Sequence, residues 1–389
     1  MDRLARTAEI LGELIAFPTV SADSNLDMIL FMAGILEDAG ARVEIIEAPC
    51  ATKANLFATL GPERSGGILL SGHSDVVPVT DQDWSSDPFK MDERDGRLYG
   101  RGTCDMKGFI AATLAMAPDF AARVTDRPLH FAFTYDEEIG CFGAQHLAQV
   151  LEARGLTPAV AIIGEPTEMR IIEGHKGCHE YTTRFTGLPG HGSQPDHGVN
   201  AVEIAVRYVH HLLGLKDRLR GMAPTDSRFD PPWTTVNVGA LTGGVAHNVI
   251  APTARVDWEM RPVAPRDAAF VKDSLRALCE TELLPQMRAV HPEASIELEV
   301  IGEVAGLLPT DPNEARRIVA ALTGANAADL AAFGTEAGII QGLGTDVVVC
   351  GPGSIEQAHK ADEYLALDQL AECLAMLDRL AERLDPAPS

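Results

Sequence analysis

The segment GGILLSGHSD (residues 66–75) joins a short apolar run to polar side chains. The run predicts a buried strand over Gly67–Ser71, and His73 and Asp75 follow where that strand ends. Comparable apolar runs recur along the first half of the chain, with helical patterns at about 108–116 and 143–154 between them. The further predicted strands are Arg42–Ile46, Asn55–Leu60, Leu129–Tyr135 and Ala159–Gly164. This alternation is typical of an α/β sheet that is covered by helices.

The sequence pattern changes near Gly174, after which EYTTRFTG (residues 180–187) alternates like a half-exposed strand. The elements predicted next are a helix at Ala201–Leu213, strands at Thr235–Leu241 and Ala254–Met260, a helix at Arg266–Leu283 and a strand at Ser295–Val300. Their β-α-β-β-α-β order suits a small four-stranded sheet with helices on one face. Helix and strand alternation resumes after about Leu308, with Glu314–Leu322, Val347–Cys350 and a final amphipathic helix at Leu367–Leu384. We therefore predict a discontinuous first domain, residues 1–175 and 305–389, with residues 176–304 inserted as a second domain.

Length and composition restrict the class of protein. The chain has 389 residues, enough for two domains with full cores, and its 46% hydrophobic and 23% charged residues are typical of globular proteins. Its 32 Lys and Arg against 56 Asp and Glu leave a net charge of −24, which repels phosphate backbones and anionic lipid. We therefore expect neither a nucleic-acid nor a membrane partner. The charged first residues and the absence of a long apolar run favour a cytoplasmic protein, and seven dispersed cysteines without a CxxC pair favour reduced thiols.

Polar residues at the ends of the predicted strands are the candidates for chemistry, because ligands of open α/β sheets bind beyond the carboxyl ends of the strands. Imidazole and carboxylate groups of this kind are the preferred ligands of zinc and similar metals. Asp105 lies in a glycine-punctuated loop just before a predicted helix, and its two oxygens suit a bridge between two ions. The strand-end candidates are His73, Asp75, Glu137, Glu138, Glu165 and His359.

Each candidate also has a plain structural interpretation. His73 is then a histidine that caps a strand end, and Glu137 with Glu138 a solvated loop. Glu165 is then a turn residue before a proline, and His359 the start of a surface helix. The metal-site interpretation rests on the convergence of all of these residues at strand ends.

Six segments in the same order give the chain a resemblance to a known family. They run from residue 72 to residue 364 and read GHSDVVP, LYGRGTCDMKGF, TYDEEIGCFGA, GEPTE, GHGSQPDHGVNA and GPGSIEQAHKADEY. In these segments the chain resembles the di-zinc amidohydrolases and peptidases that include aminoacylases, succinyl-diaminopimelate desuccinylases and acetylornithine deacetylases. The resemblance implies a zinc-peptidase-like catalytic domain, in which helices flank a mixed β-sheet. It also implies an inserted ferredoxin-like α+β domain that serves as a lid and in dimerisation.

The resemblance implies a role for each strand-end residue. Two Zn²⁺ ions are expected as cofactors, with Co²⁺ or Mn²⁺ as alternatives. Asp75 is expected to accept the second N–H of a ligating imidazole and fix its tautomer. Glu137 occupies the position of the general base, which passes a proton from water to the leaving amine. The expected ligands are His73 and Glu165 for one ion, Glu138 and His359 for the other, and Asp105 as the bridge.

Residues of the inserted domain and one late segment complete the expected site. By resemblance, His191 and Asn248 act near the scissile carbonyl, with His191 reaching the site of a partner subunit, so we expect a homodimer. Arg261 matches an arginine that binds the substrate carboxylate. We also expect Glu336 to pair with a cationic substrate side chain. The plain alternatives are a loop histidine at 191, a surface charge at 261 and a neighbour of a helix N-cap at 336.

The segment FGTEAG (residues 333–338), together with GPGSIEQAHKADEYL, looks most similar to the acetylornithine deacetylase branch. The resemblance implies hydrolysis of the N-acetyl amide of N2-acetyl-L-ornithine to L-ornithine and acetate, a reaction of arginine biosynthesis. N-succinyl-diaminopimelate desuccinylase and broad aminoacylase activity are the alternatives. A non-catalytic binding relative would be expected to lack a ligand or the base, and every such position is filled. The sequence has no GxSxG serine-hydrolase motif, and it has neither a P-loop nor a GxGxxG that opens a helix after a strand.

Overall fold

Helices and strands alternate through the first part of the chain in the computed structural model, which describes residues 2–384. In chain order, these elements are α1 (Arg3–Ile15), α2 (Leu26–Asp38), β1 (Arg42–Glu47), β2 (Ala54–Leu60), β3 (Ile68–His73), β4 (Asp92–Arg94), β5 (Arg97–Tyr99), α3 (Gly108–Ala121), β6 (Leu129–Thr134), α4 (Phe142–Ala153), β7 (Val160–Pro166) and β8 (Ile172–His175). A π-helical turn, Thr103–Lys107, leads directly into α3.

The remaining elements follow in the order that the sequence predicts, with several short additions. They are β9 (Cys178–Thr186), β10 (Gly190–His191), α5 (Ala201–Gly221), β11 (Thr235–Gly243), β12 (Val249–Ile250), β13 (Thr253–Arg261), α6 (Pro265–Leu278), α7 (Leu284–Val290), β14 (Ser295–Val304), α8 (Glu314–Thr323), β15 (Asp329–Ala331), α9 (Ala337–Gln341), β16 (Asp346–Gly351), β17 (Tyr364–Ala366) and α10 (Leu367–Leu384).

Within the described residues the chain divides into two units. The first comprises residues 2–174, 307–331 and 335–384, and the second comprises residues 175–306 and 332–334. Each unit has its own hydrophobic core.

The first unit contains an eight-stranded mixed sheet with the order β1-β2-β6-β3-β7-β16-β8-β15. Its four central strands, β6, β3, β7 and β16, are parallel to one another. Every residue of β3, β6 and β7 is buried, as expected for parallel strands that are covered on both faces. Helices α1, α2, α3 and α10 supply residues to the core on one face, and α4 and α9 supply residues to the core on the other. The predicted α/β fold with a mixed sheet flanked by helices is confirmed.

The second unit contains a four-stranded antiparallel sheet with the order β11-β13-β9-β14. Side chains alternate along β13, where Ala254, Val256, Trp258 and Met260 are buried and their neighbours are not. Helices α5 and α6 supply Tyr208, Leu212 and Val271 to the same core, so they cover the apolar face of the sheet. The predicted β-α-β-β-α-β arrangement is present.

Candidate metal centre

The first unit brings its candidate residues to the carboxyl edge of the parallel strands. His73 is the last residue of β3, and Glu165 lies near the end of β7. Glu137 and Glu138 follow the end of β6, and His359 lies in the loop after β16. Because these strands run in parallel, their ends meet at one edge of the sheet. The convergence expected from the sequence is therefore present in the structure.

Asp105 lies between the two histidines. Its Oδ1 is 2.9 Å from Nε2 of His73, and its Oδ2 is 3.4 Å from Nε2 of His359. Two further carboxylates complete the arrangement, since Oε1 of Glu165 is 3.8 Å from Nε2 of His73 and Oε2 of Glu138 is 3.0 Å from Nε2 of His359. Each oxygen of Asp105 thus lies near one histidine, and each histidine lies near a further carboxylate, an arrangement that suits a bridging ligand.

Metal-ligating atoms crowd together in this cluster. One atom each from His73, Glu137 and Glu165 lies within 4.8 Å of the others, and the same holds for His73, Asp105 and Glu138. Asp105 and Glu165 are buried, whereas the ring of His359 is exposed. The cluster therefore combines buried carboxylates with one solvent-exposed imidazole, that of His359.

Electrostatics of the cluster favour a bound cation. Burial and the charges of Glu138 and Asp105 raise the pKa of Glu137 to about 8. Burial and the charge of Asp105 raise the pKa of Glu138 to about 7. Burial also raises the pKa of Glu165 well above its usual range. Carboxylates this close together resist ionisation unless positive charge neutralises them, so the donor set and its charge suit divalent metal ions.

The histidines respond in the opposite sense. Burial disfavours the charged form of His73, but its hydrogen bonds and the charges of Glu165 and Asp105 outweigh burial and raise its pKa well above the ordinary value. Hydrogen bonding to Asp105 and Glu138 raises the pKa of His359 to about 10. Without a metal ion, protonated imidazoles balance the carboxylates. A divalent ion supplies that positive charge when both rings are neutral.

Asp75 contacts the cluster differently from the expectation. Nδ1 of His73 donates to the main-chain oxygen of Asp75 at 2.9 Å, whereas the Asp75 carboxylate lies 3.6 Å from that nitrogen. The carboxylate instead accepts the main-chain N–H groups of Glu137 and Glu138, at 3.0 and 3.3 Å, and the Ser21 hydroxyl at 2.7 Å. The expected hydrogen bond between the Asp75 carboxylate and the imidazole of His73 is therefore not the one observed. The main-chain oxygen of Asp75 holds the ring, and its carboxylate holds the loop of Glu137.

Two residues that contact Asp75 and Glu137 could not be identified from the sequence. Ser21 belongs to the segment between α1 and α2, and no local pattern connects it to Asp75. The Cys141 thiol donates to Oε1 of Glu137 at 3.4 Å. Cys141 lies in the segment TYDEEIGCFGA, four residues after Glu137, so its spacing was the only available signal.

The expectation for Glu336 is wrong. Its side chain is fully buried at the start of α9, where its oxygens accept the hydroxyl groups of Ser71, at 2.5 Å, and Thr134, at 2.7 Å. Both oxygens are therefore engaged within the sheet, and the carboxylate is not available to a substrate. Burial raises the pKa of this carboxyl, an effect that the two hydroxyls oppose.

Comparison with known proteins agrees with this geometry. Residues 69–383 match the peptidase family M20/M25/M40. The chain belongs to this family. It is a metal-dependent hydrolase. An acetylornithine deacetylase from Shigella sonnei is 36% identical over 371 residues, which cover 94% of each chain.

Solved structures of M20 proteins share the fold. An M20 metallo-carboxypeptidase from Sulfolobus solfataricus aligns with a TM-score of 0.75 at 16% identity and covers 99% of both chains. A dinuclear metal binding M20 peptidase from Bacillus subtilis aligns with a TM-score of 0.65 at 17% identity and covers 97% of both chains. Within the described part of this M20 chain, no helix combines the length and apolarity needed to cross a membrane.

The second unit holds the other expected residues of this M20 protein. His191 pairs with Val249 in a short ribbon, and the N–H of Gly192 donates to the main-chain oxygen of Asn248 at 2.8 Å. His191 is exposed, with Nδ1 2.7 Å from the Ser193 hydroxyl. The structure thus brings His191 and Asn248 together.

Arg261 is the last residue of β13 in the second unit, and its guanidinium is half-buried. Its Nη2 lies 2.8 Å from Oε2 of Glu259, so this arginine is already ion-paired within its own strand. A substrate carboxylate would have to compete with Glu259 for the guanidinium or share it.

Proposed function

We propose that this M20 protein hydrolyses the N-acetyl amide of N2-acetyl-L-ornithine to L-ornithine and acetate. The observation that carries amide hydrolysis is the position of Asp105, whose two oxygens lie near two different histidines, each with a further carboxylate beside it. The choice of acetylornithine is supported by the 36% identity to the Shigella sonnei acetylornithine deacetylase. A biosynthetic role in arginine formation and a cytoplasmic location belong to the same proposal.

Two Zn²⁺ ions are the proposed cofactors, with Co²⁺ or Mn²⁺ as substitutes. His73 and Glu165 would hold one ion, Glu138 and His359 the other, and Asp105 both. Imidazole nitrogen and carboxylate oxygen are ligands that these metals share. Bound here, such ions polarise a carbonyl oxygen and lower the pKa of water.

Glu137 is the proposed general base. Its carboxylate is beside the cluster, its main-chain N–H is held by Asp75, and the Cys141 thiol contacts Oε1. In this role Glu137 takes a proton from the attacking water and gives it to the nitrogen of the departing amine. One carboxylate then serves both proton transfers, and the C–N bond breaks with a neutral amine as leaving group.

The second unit supplies the proposed substrate contacts. His191, with Asn248 beside it, would donate to the oxyanion that develops on the acetyl carbonyl. Arg261 would bind the α-carboxylate of the substrate. We propose that His191 acts in the site of a partner subunit, so the active species is a homodimer. Light scattering tests the dimer, and a monomer with full activity would contradict this role of His191.

Two other hydrolytic activities on acyl amino acids are the main alternatives. Because Glu336 is buried, it does not select a cationic side chain, and the net charge of −24 only favours acetylornithine over a doubly anionic succinyl substrate. An N-succinyl-diaminopimelate desuccinylase or a broad aminoacylase would use the same metal residues. A non-catalytic binding relative is the third alternative.

The test is kcat/KM of zinc-loaded protein on N-acetyl-L-ornithine, N-succinyl-diaminopimelate and N-acetylmethionine, each with a chelator control. The proposal predicts a chelator-sensitive preference for acetylornithine. Preference for N-succinyl-diaminopimelate would indicate a desuccinylase, and preference for N-acetylmethionine a broad aminoacylase. Failure to turn over any of them would favour the binding relative.

A further inference from the structure

Glu363 is a buried carboxylate four residues after His359 and immediately before β17, with about 1% of its side chain exposed. Its Oε1 accepts the main-chain N–H groups of Cys104 and Asp105, at 2.9 and 3.0 Å. Its Oε2 accepts the N–H of Gly102 at 3.0 Å. One carboxylate therefore ties the chain after His359 to the turn that carries Asp105.

Arg101 connects Glu363 to the segment around His359. Its Nη1 donates to Oε2 of Glu363 at 2.7 Å and lies 3.2 Å from the main-chain oxygen of Lys360. Its Nη2 donates to Oε1 of Gln82 at 2.6 Å, and Nε2 of Gln82 donates to the main-chain oxygen of His359 at 3.0 Å. Arg101 and Gln82 thus reach the backbone of the residue that faces Oδ2 of Asp105.

Neither tethered residue has right-handed helical backbone geometry. Asp105 has φ −121° and ψ 92° inside the π-helical turn, so its segment departs from helical geometry. His359 has φ 62°, a left-handed conformation that is uncommon for residues other than glycine. Contacts from outside the local segment therefore help to fix the main chain of these two residues.

We propose that Glu363, Arg101 and Gln82 form a positioning network that sets the spacing between Asp105 and His359. The proposal rests on the proposed function, in which these two residues share a metal ion. None of the three network residues is a ligand or a catalytic residue. They act through the main chain, as the supporting partners of metal ligands commonly do.

Two substitutions test the network, and each has a matched control. Glu363→Gln keeps the size of the side chain but replaces one N–H acceptor with a donor, and its control is Glu173→Gln. Glu173 is also buried and also paired with an arginine, since Nη1 of Arg316 donates to it at 2.7 Å. Gln82→Ala removes the link to His359 together with the acceptor for Arg101 and Trp84, but it leaves every contact of Glu363 in place. Its control is Gln341→Ala, because Gln341 likewise bonds main-chain groups, those of Leu308.

The first measurement is amide hydrogen exchange of the metal-free protein in the peptide that spans residues 100–107. We expect Glu363→Gln to accelerate exchange in this peptide, because its single amide oxygen can accept from Gly102 or from Cys104 and Asp105 but not from both places, whereas both controls leave exchange unchanged. The second measurement is the affinity for Co²⁺ by isothermal titration. Glu363→Gln should weaken it about 10- to 100-fold, and Gln82→Ala by a smaller factor.

The outcomes separate the two proposals. Wild-type protein that binds no Co²⁺ contradicts the proposed function and, with it, the metal role of the network. Wild-type protein that binds Co²⁺, with affinity unchanged in Glu363→Gln and Gln82→Ala, overturns the network alone. Equal weakening in Glu173→Gln also overturns it, because general destabilisation would then explain the loss. If Glu363→Gln does not fold, Gln82→Ala decides the question.

Discussion

His130 makes the stability of the first unit depend on pH. It lies in β6 with its side chain fully buried, its ring stacked on Phe57 and Nδ1 2.9 Å from the Thr59 hydroxyl. Its Nε2 has no hydrogen-bond partner among the described residues. Burial, helped by the charge of Arg42, lowers the pKa of His130 to about 4. The folded protein therefore keeps this ring neutral where an exposed histidine would be charged.

The size of the effect follows from linkage between protonation and folding. In the unfolded chain the pKa of His130 is near the ordinary 6.5, so the unfolded state binds more protons between about pH 6.5 and pH 4. The contribution to the free energy of unfolding is complete above pH 6.5, declines as the pH falls and levels off below about pH 4. With these pKa values it falls by about 2 kcal/mol between pH 7 and pH 5.

Urea denaturation at pH 7 and pH 5, followed by circular dichroism, measures this loss. We expect wild-type protein to lose about 2 kcal/mol more than His130→Gln, which cannot titrate. Thr59→Val is the control, because it removes the hydrogen bond to His130 but keeps the ring, and it should retain the wild-type pH dependence. The same loss in wild type and in His130→Gln would show that protonation of His130 is not coupled to unfolding.

Four further predictions concern the metal centre and the strands that carry it. Glu137→Gln should lower kcat about 10²- to 10⁴-fold while the zinc content, measured by mass spectrometry, stays unchanged; wild-type kcat would exclude Glu137 as the base. Asp75→Asn should weaken zinc binding about 10- to 100-fold in a competition titration, because the loop of Glu137 loses its acceptor, and unaltered affinity would contradict this. Dialysis against a chelator should abolish turnover and added Zn²⁺ should restore it, so activity that survives dialysis argues against a metal enzyme. Gly164→Ala should destabilise the fold by about 1–3 kcal/mol or more in urea denaturation, since its Cβ would lie 1.9 Å from Cγ of Phe109, and an unshifted midpoint would show that Phe109 can move.

The fold could be predicted where the sequence pattern reflects burial. The buried strand before His73 and the run that ends in Glu165 stand out because parallel strands covered on both faces are continuously apolar. Their shared orientation then brought the polar strand ends together. The final helix, α10, was predicted with its observed bounds because its apolar face repeats along 18 residues.

Element ends and short elements were harder to predict. We predicted that α5 ends at Leu213, but it continues to Gly221, because Leu215 and Leu219 extend its buried face beyond Gly214. The strands β4, β5 and β17 pair only with one another and have three residues each, too few for a periodic pattern.

Site details that depend on distant contacts could not be predicted. Glu336 bonds Ser71 and Thr134, which lie about 200 residues or more away in sequence, so no local pattern shows its burial. The same holds for Asp75, whose carboxylate turned out to hold the loop of Glu137 and not the imidazole of His73. Residue types at strand ends predicted which groups gather, and tertiary hydrogen bonds determine how each is used.

Anomalous diffraction from zinc-soaked crystals would locate the two proposed metal ions. We expect two zinc peaks, both within about 2.0–2.2 Å of an Asp105 oxygen. One peak should contact His73 and Glu165, and the other Glu138 and His359. Zinc bound only elsewhere on the chain, or no peak at Asp105, would contradict the two-metal centre.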